Sequence, residues 1–75
     1  MLTFEQIAEN AKAKGFEVVE DTSQIGVNLT PFTWFWFYRL STGYVYFKHS
    51  YSTRTGKVKK GIERELFCRK KLGLK

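Results

Sequence analysis

Thr33-Trp34-Phe35-Trp36-Phe37-Tyr38-Arg39-Leu40-Ser41-Thr42-Gly43-Tyr44-Val45-Tyr46-Phe47-Lys48-His49 decides the fold. Its two arms are dense in aromatic and β-branched residues, the types that fit a pleated, half-buried surface. A two-residue turn on Thr42-Gly43 would put a β-branched residue at positive φ, which is costly. A three-residue loop with Gly43 left-handed is comfortable, and it pairs Leu40 with Tyr44, Tyr38 with Tyr46, Phe37 with Phe47 and Trp36 with Lys48.

Side chains alternate along a strand, so this register sorts two faces. Phe35, Phe37, Arg39, Val45, Phe47 and His49 fall on one, which is expected to form the core. Trp34, Trp36, Tyr38, Leu40, Tyr44, Tyr46 and Lys48 fall on the other. Trp and Tyr combine an apolar body with a polar handle, and two short helices cannot cover both faces.

Outward from the hairpin, Thr3-Phe4-Glu5-Gln6 is a capping-box pattern. Phe4, Ile7, Ala8 and Ala11 repeat at helical spacing, and Gly15-Phe16 suits a helix end, which predicts a helix over 4–14. Residues 16–20 are β-prone. The segment 21–31 is turn-rich, with Ile25, Val27 and Leu29 alternating inside it, and reads as either a short edge strand or an anchored loop. Whether it covers the Trp/Tyr face stays open. Strands are expected over 33–40 and 44–53. Arg54-Thr55-Gly56 repeats the first turn's chemistry and predicts a short strand over 57–60. Ile62, Leu66 and Leu72, with Phe67 beside them, predict a closing helix over 62–71 that ends near Gly73. The expectation is one small α+β domain over 1–75: a helix, a short strand, a three-stranded antiparallel meander and a basic C-terminal helix, with both helices on one face of the sheet.

The chain has 75 residues, a formal net charge of +6 and an aromatic content of 17%. Its charge is unevenly placed. Residues 1–53 carry Lys12, Lys14, Arg39 and Lys48 against Glu5, Glu9, Glu17, Glu20 and Asp21. Residues 54–75 carry Arg54, Lys57, Lys59, Lys60, Arg64, Arg69, Lys70, Lys71 and Lys75 against Glu63 and Glu65 alone. Such clustering is the electrostatic footprint of a polyanion binder.

Other chemistries find little support. The single Cys68 allows no internal disulfide, so a reducing compartment is consistent. His49, Cys68 and the carboxylates have no paired spacing for zinc, and Glu17, Glu20 and Asp21 lack calcium-loop geometry. His49 has no assignable base or orienting partner, and Gly56-Lys57 lacks the rest of a phosphate-loop spacing. Neither an enzyme nor a cofactor is expected. The opening residues lack a signal peptide's basic and apolar regions, and no run is long enough to span a bilayer, so a cytoplasmic protein is expected.

The order of elements, with Gly56, Lys59 and Lys60 ahead of the last helix, is similar in outline to a double-stranded-RNA-binding domain. That family opens its final helix with Gly-x-Ser-Lys-Lys-x-Ala-Lys. The corresponding stretch here is Gly56-Lys57-Val58-Lys59-Lys60-Gly61-Ile62-Glu63, in which the glycine and two lysines match. The resemblance implies lysines straddling phosphates. A three-strand meander with a helix also resembles plant and integrase-arm DNA-binding sheets.

The expected function is therefore a small intracellular nucleic-acid-binding module for DNA or RNA. Arg54, Lys57, Lys59, Lys60, Lys70 and Lys71 would hold phosphates, and Lys48 stands beside Trp36, Tyr44 and Tyr46, which would meet bases or sugars. The alternative is a protein-interaction module, a regulator or phage-type inhibitor, that docks through the aromatic face and meets an acidic partner through the basic helix. The sequence leaves the oligomeric state undetermined.

Overall fold

A computed structural model describes residues 2–74; Met1 and Lys75, the last cation of the basic block, lie outside the described residues. The elements are α1 (Phe4–Ala13), β1 (Glu17–Glu20), β2 (Gln24–Thr30), β3 (Thr33–Arg39), β4 (Val45–Ser52), β5 (Val58–Lys59) and α2 (Ile62–Lys71). The strands form an antiparallel sheet in the order β1-β2-β3-β4-β5, so each pairs with its neighbours in sequence. The class is α+β.

Local chemistry sets the helix ends. Thr3 Oγ1 accepts from the Gln6 N–H at 3.1 Å, and Gln6 Oε1 accepts from the Thr3 N–H at 2.8 Å, a complete capping box. At the other end Phe16 N donates to Ala11 O at 2.9 Å and Gly15 N to Lys12 O at 3.1 Å. This closure needs Gly15 at φ 81, which a residue with a Cβ adopts only under strain. The same pair of bonds, through Gly73 and Leu74, ends α2.

Ile7, Ala8 and Ala11 of α1 share one core with Cys68 and Leu72 of α2 and with Ile25, Val27, Phe35, Phe37 and Val45 of the sheet. Both helices therefore lie on the Phe35/Phe37 side. Asn10 Nδ2 ties them together by donating to Leu72 O at 3.0 Å.

Three expectations need correction. The segment 21–31 is neither an edge strand nor a loop: β2 is an inner strand with Ile25, Val27 and Leu29 buried, so the meander has five strands rather than three. Its turn-like residues start the strand or let a neighbour pack on it. Asp21 Oδ1 accepts from the Ser23 and Gln24 N–H groups at 2.7 and 2.9 Å, a turn that launches the strand and holds the Asp21 carboxyl below its ordinary pKa. Gly26 is a close-approach site, because a Cβ there would sit 2.6 Å from the Trp36 ring. Being part of the sheet, β2 leaves the Trp/Tyr face uncovered.

The second correction concerns register. The pairing runs as expected from the Gly43 loop (φ 88) through Phe37↔Phe47, then shifts by one residue so that Trp36 faces His49 rather than Lys48. This bulge keeps Lys48 and His49 on the same side and moves His49 from the expected core face to the open one. It also turns Ser50 inward, where it is 2% exposed.

The third concerns α2. Ile62 and Leu66 point away from the core at 74% and 55% exposure. At 3.6 residues per turn, Arg64, Phe67, Cys68 and Leu72 share the opposite side, which packs on the sheet. Arg64 fills an apolar position because its planar guanidinium lies over the rings of Phe35 and Phe67, at 5.0 and 5.5 Å.

Candidate functional site

The uncovered face is built on β3 and β4, the two longest aromatic strands. Trp34 and Trp36 stack at 6.0 Å between ring centroids with 26° between planes. Beside them Tyr38 and Tyr46, directly opposite in the register, meet at 5.2 Å. Tyr51 lies opposite Trp34 and extends the patch toward β5, where Val58 follows. Tyr46 is half exposed, and Tyr44 stands exposed at the hairpin end. Neither helix reaches this side.

Cations line the patch. Lys48 Nζ sits 4.7 Å from the Tyr38 ring centroid and donates to Gln24 Oε1 at 3.2 Å. The Gln24 contact fixes the ammonium without neutralising it. His49 follows, opposite Trp36. Its pKa lies below the ordinary 6.5, first because burial disfavours the charged ring and then because Lys48 and Lys60 repel a further positive charge. Lys60 therefore acts on the same field. At the far end Arg54 stands 5.7 Å from the ring of Phe32, where the β2–β3 and β4–β5 turns are joined by Thr53 N donating to Phe32 O at 2.7 Å.

The expected site residues are thus divided. Trp36, Tyr44, Tyr46 and Lys48 belong to the open face, with Lys60 and Arg54 at its border. Lys57 and Lys59 turn to the helix side, where they line a cleft with Ser50 and Arg64. Lys70 and Lys71 lie at the end of α2, also on that side, with Lys71 Nζ 5.7 Å from the Phe67 ring. The outline shared with double-stranded-RNA-binding domains ends here: the sheet has five strands, and Lys59 sits in a strand rather than a helix start.

Sequence reasoning missed His49 and Tyr51 as members of the face, because only the bulge brings them there. Trp34 and Tyr38 were legible from alternation alone.

Burial and the Glu65 charge push the Cys68 thiol up to about 12, with burial the larger cause, so it is a packed side chain rather than a nucleophile. Among the described residues no three His, Cys, Asp or Glu side chains gather where they would hold a metal ion. None of their helices is long and apolar enough to cross a membrane. Comparison of the chain with protein-family models, curated proteins and solved structures finds no match in any of the three.

Proposed function

We propose that this chain is a small intracellular nucleic-acid-binding module that takes single-stranded DNA or RNA across the open sheet face. The observation that carries the reading is the coincidence on one surface of uncovered aromatics with a cation that no carboxylate among the described residues pairs: Trp34, Trp36, Tyr38, Tyr46 and Tyr51 alongside Lys48, with Lys60 at the border. Rings offer each base a stacking partner worth about 1–3 kcal/mol, and stacking requires bases that are not paired in a duplex. Lysines supply the phosphate contacts, which set register and most of the salt dependence.

The test is fluorescence polarisation with a labelled oligothymidylate. Tyr46→Ala should weaken binding about tenfold through one lost stack, and log Kd should vary with log salt by about 0.7 per phosphate neutralised. Affinity indifferent to salt would sink the proposal.

The second reading, a protein-docking module or inhibitor, is favoured by one observation. Lys57, Lys59, Lys70 and Lys71 stand away from the aromatic face, so four of the six cations expected to hold phosphates are not on it. Binding of an acidic protein but not of oligonucleotide would select it.

A further inference from the structure

On the opposite side from the aromatic face, a cleft of about 340 Å³ opens between the β4–β5 turn and the start of α2. Its floor is made of hydroxyls and its walls of cations. We propose that this cleft binds a phosphate group, presented as a phosphomonoester dianion. The inference is independent of the nucleic-acid reading and uses different residues.

The hydroxyls are arranged as donors. Ser52 Oγ accepts from the Thr55 N–H at 3.3 Å, and Thr55 Oγ1 accepts from the Lys57 N–H at 3.4 Å. Each has an oxygen lone pair engaged by backbone, which leaves its O–H proton free for an incoming anion. Ser50, nearly inaccessible, acts as the brace: its Oγ accepts from Arg64 Nε at 3.1 Å and donates to Lys59 O at 3.4 Å.

With Nε tied to Ser50 and Cζ 5.0 and 5.5 Å from the ring centroids of Phe35 and Phe67, the Arg64 guanidinium is anchored at the cleft, and among the described residues its terminal N–H groups make no hydrogen bond and remain for a ligand. Lys57 and Lys59 add two ammonium groups. Among the described residues none of the three pairs with a carboxylate: the ion pairs are Lys12–Glu20 and Arg69–Glu65, and Glu63, which lines the neighbouring hollow together with Lys59 and Arg64, forms an ion pair with neither.

Three cations with hydroxyl donors between them suit a tetrahedral dianion better than a carboxylate, which needs one fork. The cleft also has room for the group that a monoester carries. Two sources present that chemistry, the 5′-phosphate of a nucleic-acid strand and a small phosphate ester.

The test is a 1H–15N NMR titration of the full chain with inorganic phosphate, adenosine monophosphate and adenosine, and with chloride at matched ionic strength. Phosphate and the monophosphate should give saturating shifts at Ser52, Thr55, Lys57 and the Arg64 Nε–H, and adenosine none. The Lys57→Gln/Lys59→Gln double variant, altered only at exposed side chains, should weaken binding about tenfold or more. Arg64→Lys, which keeps the charge and loses the fork, should weaken it too, with thermal unfolding confirming that each variant is folded. Tighter binding of a 5′-phosphorylated oligonucleotide than of its 5′-hydroxyl twin would identify a strand end as the source, and equal binding a small ester. Shifts that chloride reproduces, that never saturate, or that survive the double variant would overturn the proposal. Oligothymidylate without a terminal phosphate should bind the double variant unchanged, which separates this cleft from the aromatic face.

Discussion

The two faces of the sheet are both aromatic, yet one is sealed and the other open. On the sealed face Phe35 and Phe37 are fully buried with Ile25 and Val27 under two amphipathic helices. On the open face Trp34 stacks on Trp36 and Tyr38 meets Tyr46, Trp36 lies across Gly26 of β2, Lys48 sits over Tyr38, and no helix covers them. Phe has no polar atom to satisfy and gains most from exclusion of water, whereas Tyr and Trp keep a hydroxyl or N–H that stays hydrated when the ring is half exposed. The contrast teaches that one aromatic layer holds the fold together while the other stays in contact with solvent.

The largest expected effect compares the layers directly. Phe37→Ala should cost about 3–5 kcal/mol, a large share of the roughly 4–11 kcal/mol expected of a fold this size. Tyr46→Ala, at a half-exposed position, should cost less than about 1 kcal/mol. Urea denaturation of both variants checks this, and equal losses would break the distinction between the faces. Cys68 reports the same contrast without mutation. With its thiol pushed up to about 12 by burial, it should resist a disulfide reagent in native buffer and react once urea unfolds the chain. Rapid native labelling would mean the helix side is not sealed.

Gly26→Ala comes next. Its Cβ would collide with the Trp36 ring, so the variant should lose about 1–3 kcal/mol and shift tryptophan emission to the red as the ring swings into water. Unchanged emission would show that Trp36 does not lie on β2.

The smallest effect is a pH dependence. His49 is depressed in the fold, so the unfolded chain takes up a proton first as pH falls. Its contribution to stability is complete above the ordinary value of 6.5 and is lost as pH falls through the folded pKa. Phosphates laid across the face would offset the Lys48 and Lys60 charges and raise the His49 pKa. An imidazole proton titration with and without oligonucleotide should show that rise, and no displacement would place the strand elsewhere.

Much of the fold was legible because single residues carry it. Thr3 and Gln6 cap α1, Gly15 ends it, and the three-residue loop through Gly43 fixes the central hairpin. The misreadings share one physical source, a residue whose role depends on tertiary neighbours. Gly26 resembles a turn residue until Trp36 occupies the space above it. Arg64 resembles a surface cation until it lies over Phe35 and Phe67, and its place on the sheet turns Ile62 and Leu66 outward. For the site, alternation revealed Trp36, Tyr46 and Lys48, whereas no local signal marks the bulge that adds His49 and Tyr51. The basic block looked continuous along the chain, but β5 and α2 divide it between two sides of the molecule.

The most direct test of the open face as the binding surface is quenching of Trp34 and Trp36 fluorescence by short single-stranded and double-stranded DNA and RNA at low and high salt. The account predicts strong, saturable quenching by single strands that weakens with salt, and little by duplexes. Binding without any change in emission, or no binding at low salt, would contradict it.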